Sequence, residues 1–165
     1  MLKVFLVEDE RVIREGLRDN IPWEQYGYRF IGEASDGEMA LPMIRKLKPD
    51  VLITDIKMPF MDGLSLSEMV KEEFPRTKII IISGYDDFEY ARRAIVAGVD
   101  QYLLKPITRA ALRNVLLEIK EKIEQDMEQK DYQTRVQDEM QEFEQFSLRG
   151  FFEKILDGKL SVKEI

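Results

Sequence analysis

A chain of 165 residues, 44% of them apolar, is long enough for one domain with a full core plus an appendage, and cramped for a second domain. It contains no cysteine and no histidine, which excludes disulfides, thiolate nucleophiles, imidazole bases and a phosphohistidine; chemistry must run on carboxylates, lysines and hydroxyls. A net charge of -7 argues against a direct grip on nucleic acid, which needs clustered lysine and arginine, and favours proteins and cations as partners.

The opening run Leu2-Lys3-Val4-Phe5-Leu6-Val7 is apolar but brief, and it passes straight into Glu8-Asp9-Glu10 with no small-residue cleavage site. It reads as a buried first strand. No apolar run approaches the roughly 20 residues of a membrane span, so a cytoplasmic protein without membrane contact is expected. Further strand candidates are Tyr28 to Ala34, Val51 to Thr54, Lys78 to Ile82 and Gln101 to Leu104. Helical patterns lie between them at Arg11 to Asn20, Gly37 to Leu47, Gly63 to Phe74 and Asp87 to Ala97, with another from Thr108 onward. Strand and helix in alternation predict a parallel sheet covered on both faces, an α/β fold. Turn residues such as Asp36-Gly37 and Lys48-Pro49-Asp50 fall at the expected handovers. Pro42 lies inside the second helix pattern and is expected to kink or shorten it.

Beyond Pro106 the composition turns to Glu, Gln, Lys and Asp, with no glycine or proline until Gly150, which predicts one long helix. Leu112, Leu116, Ile119 and Ile123 follow a three-and-four spacing, and Tyr132, Val136, Met140, Phe143 and Phe146 resume it after a polar gap. The stripe fits a coiled-coil-like dimer helix, or a helix lying back on its own domain. The domain reading is a globular part over 1–120, a linker helix over 121–147 and a short amphipathic segment over 148–165, whose Phe151 to Leu156 stretch would stop at Gly158.

In open parallel sheets the functional crevice lies beyond the carboxyl ends of the strands. There the first strand ends in Glu8-Asp9, the third in Asp55 and the fourth in Ser83, and the fifth is followed by Lys105-Pro106. Each alone is unremarkable, since acids cap helices and Ser-Gly or Lys-Pro make ordinary turns. Together, three acids would raise one another's pKa unless a cation neutralised them, and hard oxygen ligands suit magnesium or manganese. Asp9 and Asp55 would be direct ligands, Glu8 would act through water, and Lys105 would balance a transferred phosphoryl group. Without histidine or cysteine the nucleophile is a carboxylate, and Asp55 is the best placed; Ser83 and Lys105 would position and neutralise the transferred group.

The runs Val7-Glu8-Asp9-Glu10, Thr54-Asp55-Ile56-Lys57-Met58-Pro59 with Asp62-Gly63, Ser83-Gly84 and Tyr102-Leu103-Leu104-Lys105-Pro106 resemble the response-regulator receiver family over about residues 1–120. The resemblance implies a flavodoxin-like, doubly wound (βα)5 sheet and a cis peptide before Pro106. It implies Asp55 as phosphoacceptor for a histidine kinase, with magnesium held by Glu8, Asp9, Asp55 and the Lys57 backbone carbonyl. Ser83 and Tyr102 would form a switch pair reshaping the face of the fourth helix, fifth strand and fifth helix, which, with the C-terminal helix, is a candidate homodimer surface. The stretch Ser83-Gly84-Tyr85-Asp86-Asp87-Phe88-Glu89-Tyr90-Ala91 is similar to the YesN-like subgroup, whose members usually carry an AraC-type helix-turn-helix effector. No such domain falls within these 165 residues, implying a regulatory part separated from its effector or an unusually short regulator. DNA would be reached only through that effector. Glu8 stands where the family more often has Asp.

Three rivals use related parts. A haloacid-dehalogenase-type phosphatase places a second aspartate two residues after the nucleophile, where this chain has Lys57. A pseudo-receiver would keep the fold as a docking module without phosphorylation, but here the acidic set is intact. A flavodoxin-like cofactor carrier would want N–H groups and small hydroxyl residues after the first strand, where this chain is acidic. An aspartyl phosphate that forms from phosphodonors and slowly hydrolyses itself is the expected limit of any enzymatic character.

Overall fold

The computed structural model describes the backbone of residues 1–84 and 88–156, and the side chains of residues 1–84 and 89–142. It divides into two compact units, Met1–Glu121 and Lys122–Ile165. The elements are β1 (Leu2–Val7), α1 (Arg11–Asn20), a 3-10 turn (Trp23–Tyr26), β2 (Tyr28–Ala34), α2 (Gly37–Leu47) and β3 (Val51–Asp55), then α3 (Gly63–Glu73), β4 (Lys78–Ser83), α4 (Phe88–Val96), β5 (Gln101–Leu104) and α5 (Arg109–Leu156). The five strands form one sheet in the order β2-β1-β3-β4-β5, every neighbouring pair parallel. This is the doubly wound, flavodoxin-like order, with the change of direction between β1 and β3.

The central strands are apolar without alternation because helices cover both faces. Every residue of β3 is buried, as are Ile79, Ile80, Ile81 and Ile82 of β4. On one side Phe5, Val7, Leu52, Ile79 and Ile81 form a core with Ile44 of α2 and with Leu64, Leu66 and Val70 of α3. Strand neighbours point to opposite faces, and the alternate set Val4, Leu6, Ile53, Ile80 and Ile82 is buried as fully, as are Leu112, Leu116 and Ile119 of α5. The buried Tyr28 hydroxyl donates to the Leu116 carbonyl at 2.5 Å, tying edge strand β2 to α5.

Three local features depart from the sequence reading. The shortening expected at Pro42 does not occur: α2 runs from Gly37 to Leu47 with Pro42 inside it. Its first turn is secured by Asp36, whose side chain accepts the Met39 amide at 2.8 Å, and Pro42 and Glu38 both lie on the exposed face, where water can satisfy the carbonyl that proline leaves free. The 3-10 turn had no periodic signal. It buries Trp23, whose indole N–H donates to the Leu17 carbonyl and whose ring lies 5.7 Å from that of Phe30. Gly150 does not interrupt α5, so Phe151 to Leu156 continue that helix rather than form their own; the proposed stop at Gly158 lies outside the described residues. Between Lys122 and Glu142 the side chains are exposed apart from Ile123 and Val136, and Met127, Tyr132 and Met140 are among those exposed.

Candidate functional site

The strand register brings the predicted residues to one edge. Val7 pairs with Thr54, Asp55 with Ile82, and Ser83 with Leu104, so the next residues Glu8 and Lys105 stand beside the end of β3. Carboxylate oxygens of Glu8, Asp9 and Asp55 lie within 4.8 Å of one another. The Lys105 ammonium sits between two of them, 3.1 Å from Glu8 Oε1 and 3.1 Å from Asp55 Oδ2. Asp55 Oδ1 accepts the Ile56 amide at 2.8 Å. Glu8 is wholly buried and Asp55 nearly so, whereas Asp9 is exposed.

That arrangement is electrostatically unfinished. Burial, reinforced by the charge of Asp55, pushes the Glu8 carboxyl up to about 7, with Lys105 pulling the other way. Burial likewise raises the Asp55 carboxyl, opposed by the Lys105 charge and its hydrogen bond. Burial alone would lower the Lys105 ammonium, but the two carboxylates outweigh it and raise it. One ammonium serves two buried acids, and Glu8 Oε2 is buried with no hydrogen-bond partner. A buried oxygen of this kind costs about 1–3 kcal/mol unless something else satisfies it. Hard oxygens clustered around an unsatisfied carboxylate fit a divalent cation of the magnesium type.

The surrounding backbone holds these groups still. After β1, the Glu8 amide donates to the Ala34 carbonyl at 3.1 Å, and Arg14 of α1 donates through Nη1 to the Glu8 carbonyl at 2.8 Å. After β3, the chain loops through Lys57 and returns where the Gly63 amide donates to the Ile56 carbonyl at 2.7 Å. A Cβ on Gly63 would collide with the Asp55 backbone carbonyl, so only glycine lets α3 begin this close to the acceptor strand. Asp62 caps α3 by accepting the Ser65 amide. Lys57 is exposed, and its ammonium lies 5.6 Å from the centre of the Tyr90 ring on α4. Phe60, at the loop tip, is 82% exposed and adopts a left-handed φ of 70°.

Ser83 is fully buried at the end of β4, and its carbonyl accepts the Lys105 amide at 2.7 Å. Tyr102, on adjacent strand β5, is half-buried and packs against the core. The Lys105-Pro106 peptide is cis. Beside it a cleft of about 610 Å³ is lined by Ile13, Leu17, Ile21, Pro106, Ile107 and Arg109, among others. Residues Tyr85 to Asp87, part of the subgroup-like stretch, lie outside the described residues. Two contributors had no role assigned from the sequence. Gly63 stood out only as part of a motif, and Arg14 carried no signal, since a contact from a helix side chain to a carbonyl six residues earlier leaves no trace in composition.

No helix among the described residues is long and apolar enough to cross a membrane. The profile of the "Response regulator receiver domain" family matches residues 4–117. The chain is 35% identical over 158 residues to the transcriptional regulatory protein YesN of Bacillus subtilis, covering 96% of this chain and 43% of that one. It is 43% identical over 116 residues to the transcriptional regulatory protein HptR of Staphylococcus aureus, covering 70% of this chain and 45% of the relative. The chain thus spans less than half the length of these curated relatives. Among solved structures, the REC domain of AraT, a response regulator from Geobacillus stearothermophilus, aligns with a TM-score of 0.72 and 44% identity, covering 76% of this chain and 98% of that one. A two-component transcriptional regulator AraC from Clostridium phytofermentans aligns with a TM-score of 0.68 and 33% identity, over 78% of this chain and 99% of that one. With the sheet order, the acidic edge and the profile match in agreement, the chain belongs to the response regulator receiver domain family, the signalling domains of two-component systems.

Proposed function

We propose that Asp55 accepts a phosphoryl group from a histidine kinase. In that step an Asp55 carboxylate oxygen bonds to phosphorus as the phosphorus–nitrogen bond of the donor's phosphohistidine breaks, and the departing imidazole takes up a proton. The observation that carries this reading is the buried, unpartnered Glu8 Oε2 beside Asp55 and Lys105. Glu8, Asp9 and Asp55, with the Lys57 carbonyl, would hold magnesium or manganese, and when bound that ion supplies positive charge for the phosphoryl oxygens. Lys105, within reach of both buried acids, balances charge on the transferred group, and the Ser83 hydroxyl orients toward it. The apolar cleft beside Lys105 gives an approaching phosphodonor protein a surface to rest on.

Mass spectrometry after incubation with acetyl phosphate and magnesium tests this. One phosphoryl adduct is expected on the wild-type chain and none on Asp55→Asn; an unmodified wild type, or an adduct that survives the substitution, refutes it.

Phosphorylation then draws Ser83 inward and lets Tyr102 turn toward the vacated space, reshaping the face of α4, β5 and α5. Residues 1–120 act as the receiver, 121–147 as a coiled-coil-like linker and 148–165 as a short following segment, in a cytoplasmic regulator that reaches DNA through an attached or partner effector. Exposed Met127, Tyr132 and Met140 suit a homodimer along that helix. Sedimentation should therefore show a chain ending at Lys122 to be more monomeric than the full chain; equal behaviour removes the dimer helix.

A further inference from the structure

Glu8 and Asp9 are neighbours at the end of a strand, and in extended chain neighbouring side chains point to opposite sides. Yet both place a carboxylate oxygen within 4.8 Å of Asp55. The chain leaves the strand after Val7 and bends at Asp9, which turns the peptide between them out of the strand direction. The amide on its near side, that of Glu8, is still in the sheet ladder, donating to Ala34 of β2 at 3.1 Å. The carbonyl of Glu8 belongs to the turned peptide itself, and the Arg14 guanidinium holds it at 2.8 Å. Arg14 is partly buried and fixed in the first turn of α1, where its amide donates to the Glu10 carbonyl at 2.9 Å. The other tie in this loop, from the Glu10 amide to Glu8 Oε1, is long at 3.3 Å and uses an oxygen that Lys105 also claims.

We infer that Arg14 is a positioning residue: by clamping the Glu8–Asp9 peptide it aims both carboxylates at Asp55. The inference rests on the metal-holding role proposed for those acids. It opposes a plain Coulomb expectation, because a cation beside an acidic cluster should repel a divalent ion, and removing it should tighten binding. If the clamp dominates, removal loosens binding instead. Groups that orient metal ligands are typically worth about 10-fold to 100-fold in metal affinity.

The test is calorimetric titration of magnesium into the wild-type chain, Arg14→Met and Arg14→Lys, with amide hydrogen exchange measured on the same metal-free samples. Arg14→Met should bind magnesium about tenfold more weakly. Its Glu10 amide, which donates to Glu8 Oε1, should exchange several times faster while those of Val4 to Val7 keep their protection. Arg14→Lys, which retains a donor and the charge, should recover part of both losses. Magnesium binding by Arg14→Met as tight as wild type or tighter, or unchanged exchange at Glu10, overturns the inference. A wild type that binds no magnesium sinks the phosphoacceptor reading instead, and exchange at Glu10 then decides whether the clamp exists.

Discussion

At the amino ends of the strands, Asp50 accepts the Lys3 amide at 2.7 Å, and Asp100 accepts both the Ile79 amide at 2.8 Å and the Lys71 ammonium at 3.0 Å. At the carboxyl ends of the same sheet, Glu8 and Asp55 divide one ammonium, and a Glu8 oxygen is left with nothing. Both pairs of acids sit beside a parallel sheet, but the first pair is matched to protein donors and serves as mortar. The second pair is under-matched, and the imbalance shows in the raised Glu8 and Asp55 carboxyls. A buried acid identifies a functional edge only when the protein's own donors fail to account for it.

The sharpest way to break this contrast is to neutralise an acid at each end. A carboxyl raised from 4.5 to about 7 in the fold keeps a proton that the unfolded chain has already lost. Metal-free wild type should therefore lose stability as pH climbs through that window. Glu8→Gln removes the effect and should stabilise the metal-free protein at pH 8 by about 3 kcal/mol relative to wild type, with little gain at pH 5. Urea unfolding in EDTA at the two pH values measures it; a variant less stable than wild type at pH 8 would show that Glu8 is structural after all. At the opposite end the sign reverses. Asp100→Ala should cost about 2 kcal/mol and Asp50→Ala, whose carboxylate accepts the Lys3 backbone amide rather than an ammonium, about 1 kcal/mol, both unaffected by magnesium. A magnesium-dependent loss in either would erase the distinction between the two ends.

The architecture was legible because β3 and β4 are buried on both faces, so burial leaves an uninterrupted apolar run in the sequence. Asp55 was legible for the same reason: an acid closing such a run has to be answered by something. What stayed hidden depends on three-dimensional closure rather than periodicity. The 3-10 turn is held by a Trp23 contact to the Leu17 carbonyl, Phe60 takes a left-handed conformation with no glycine to announce it, and the Pro42 penalty is small because that residue faces water. Likewise the sequence assembles the three carboxylates in outline, but the orphaned Glu8 oxygen and the Arg14 contact emerge only when side chains are placed.

The hydrogen bond from Gly63 to Ile56 closes the segment between them into a ring, with Met58 and Met61 packed against the core and Phe60 at its crown. Neck and crown have opposite surroundings: any side chain at Gly63 pushes on Asp55, whereas Phe60 at the crown is open to solvent. Position 60 is thus a natural mount for a spectroscopic label that would ride on the reactive edge without bearing on it, and a glycine there would release the left-handed backbone at little cost to the ring.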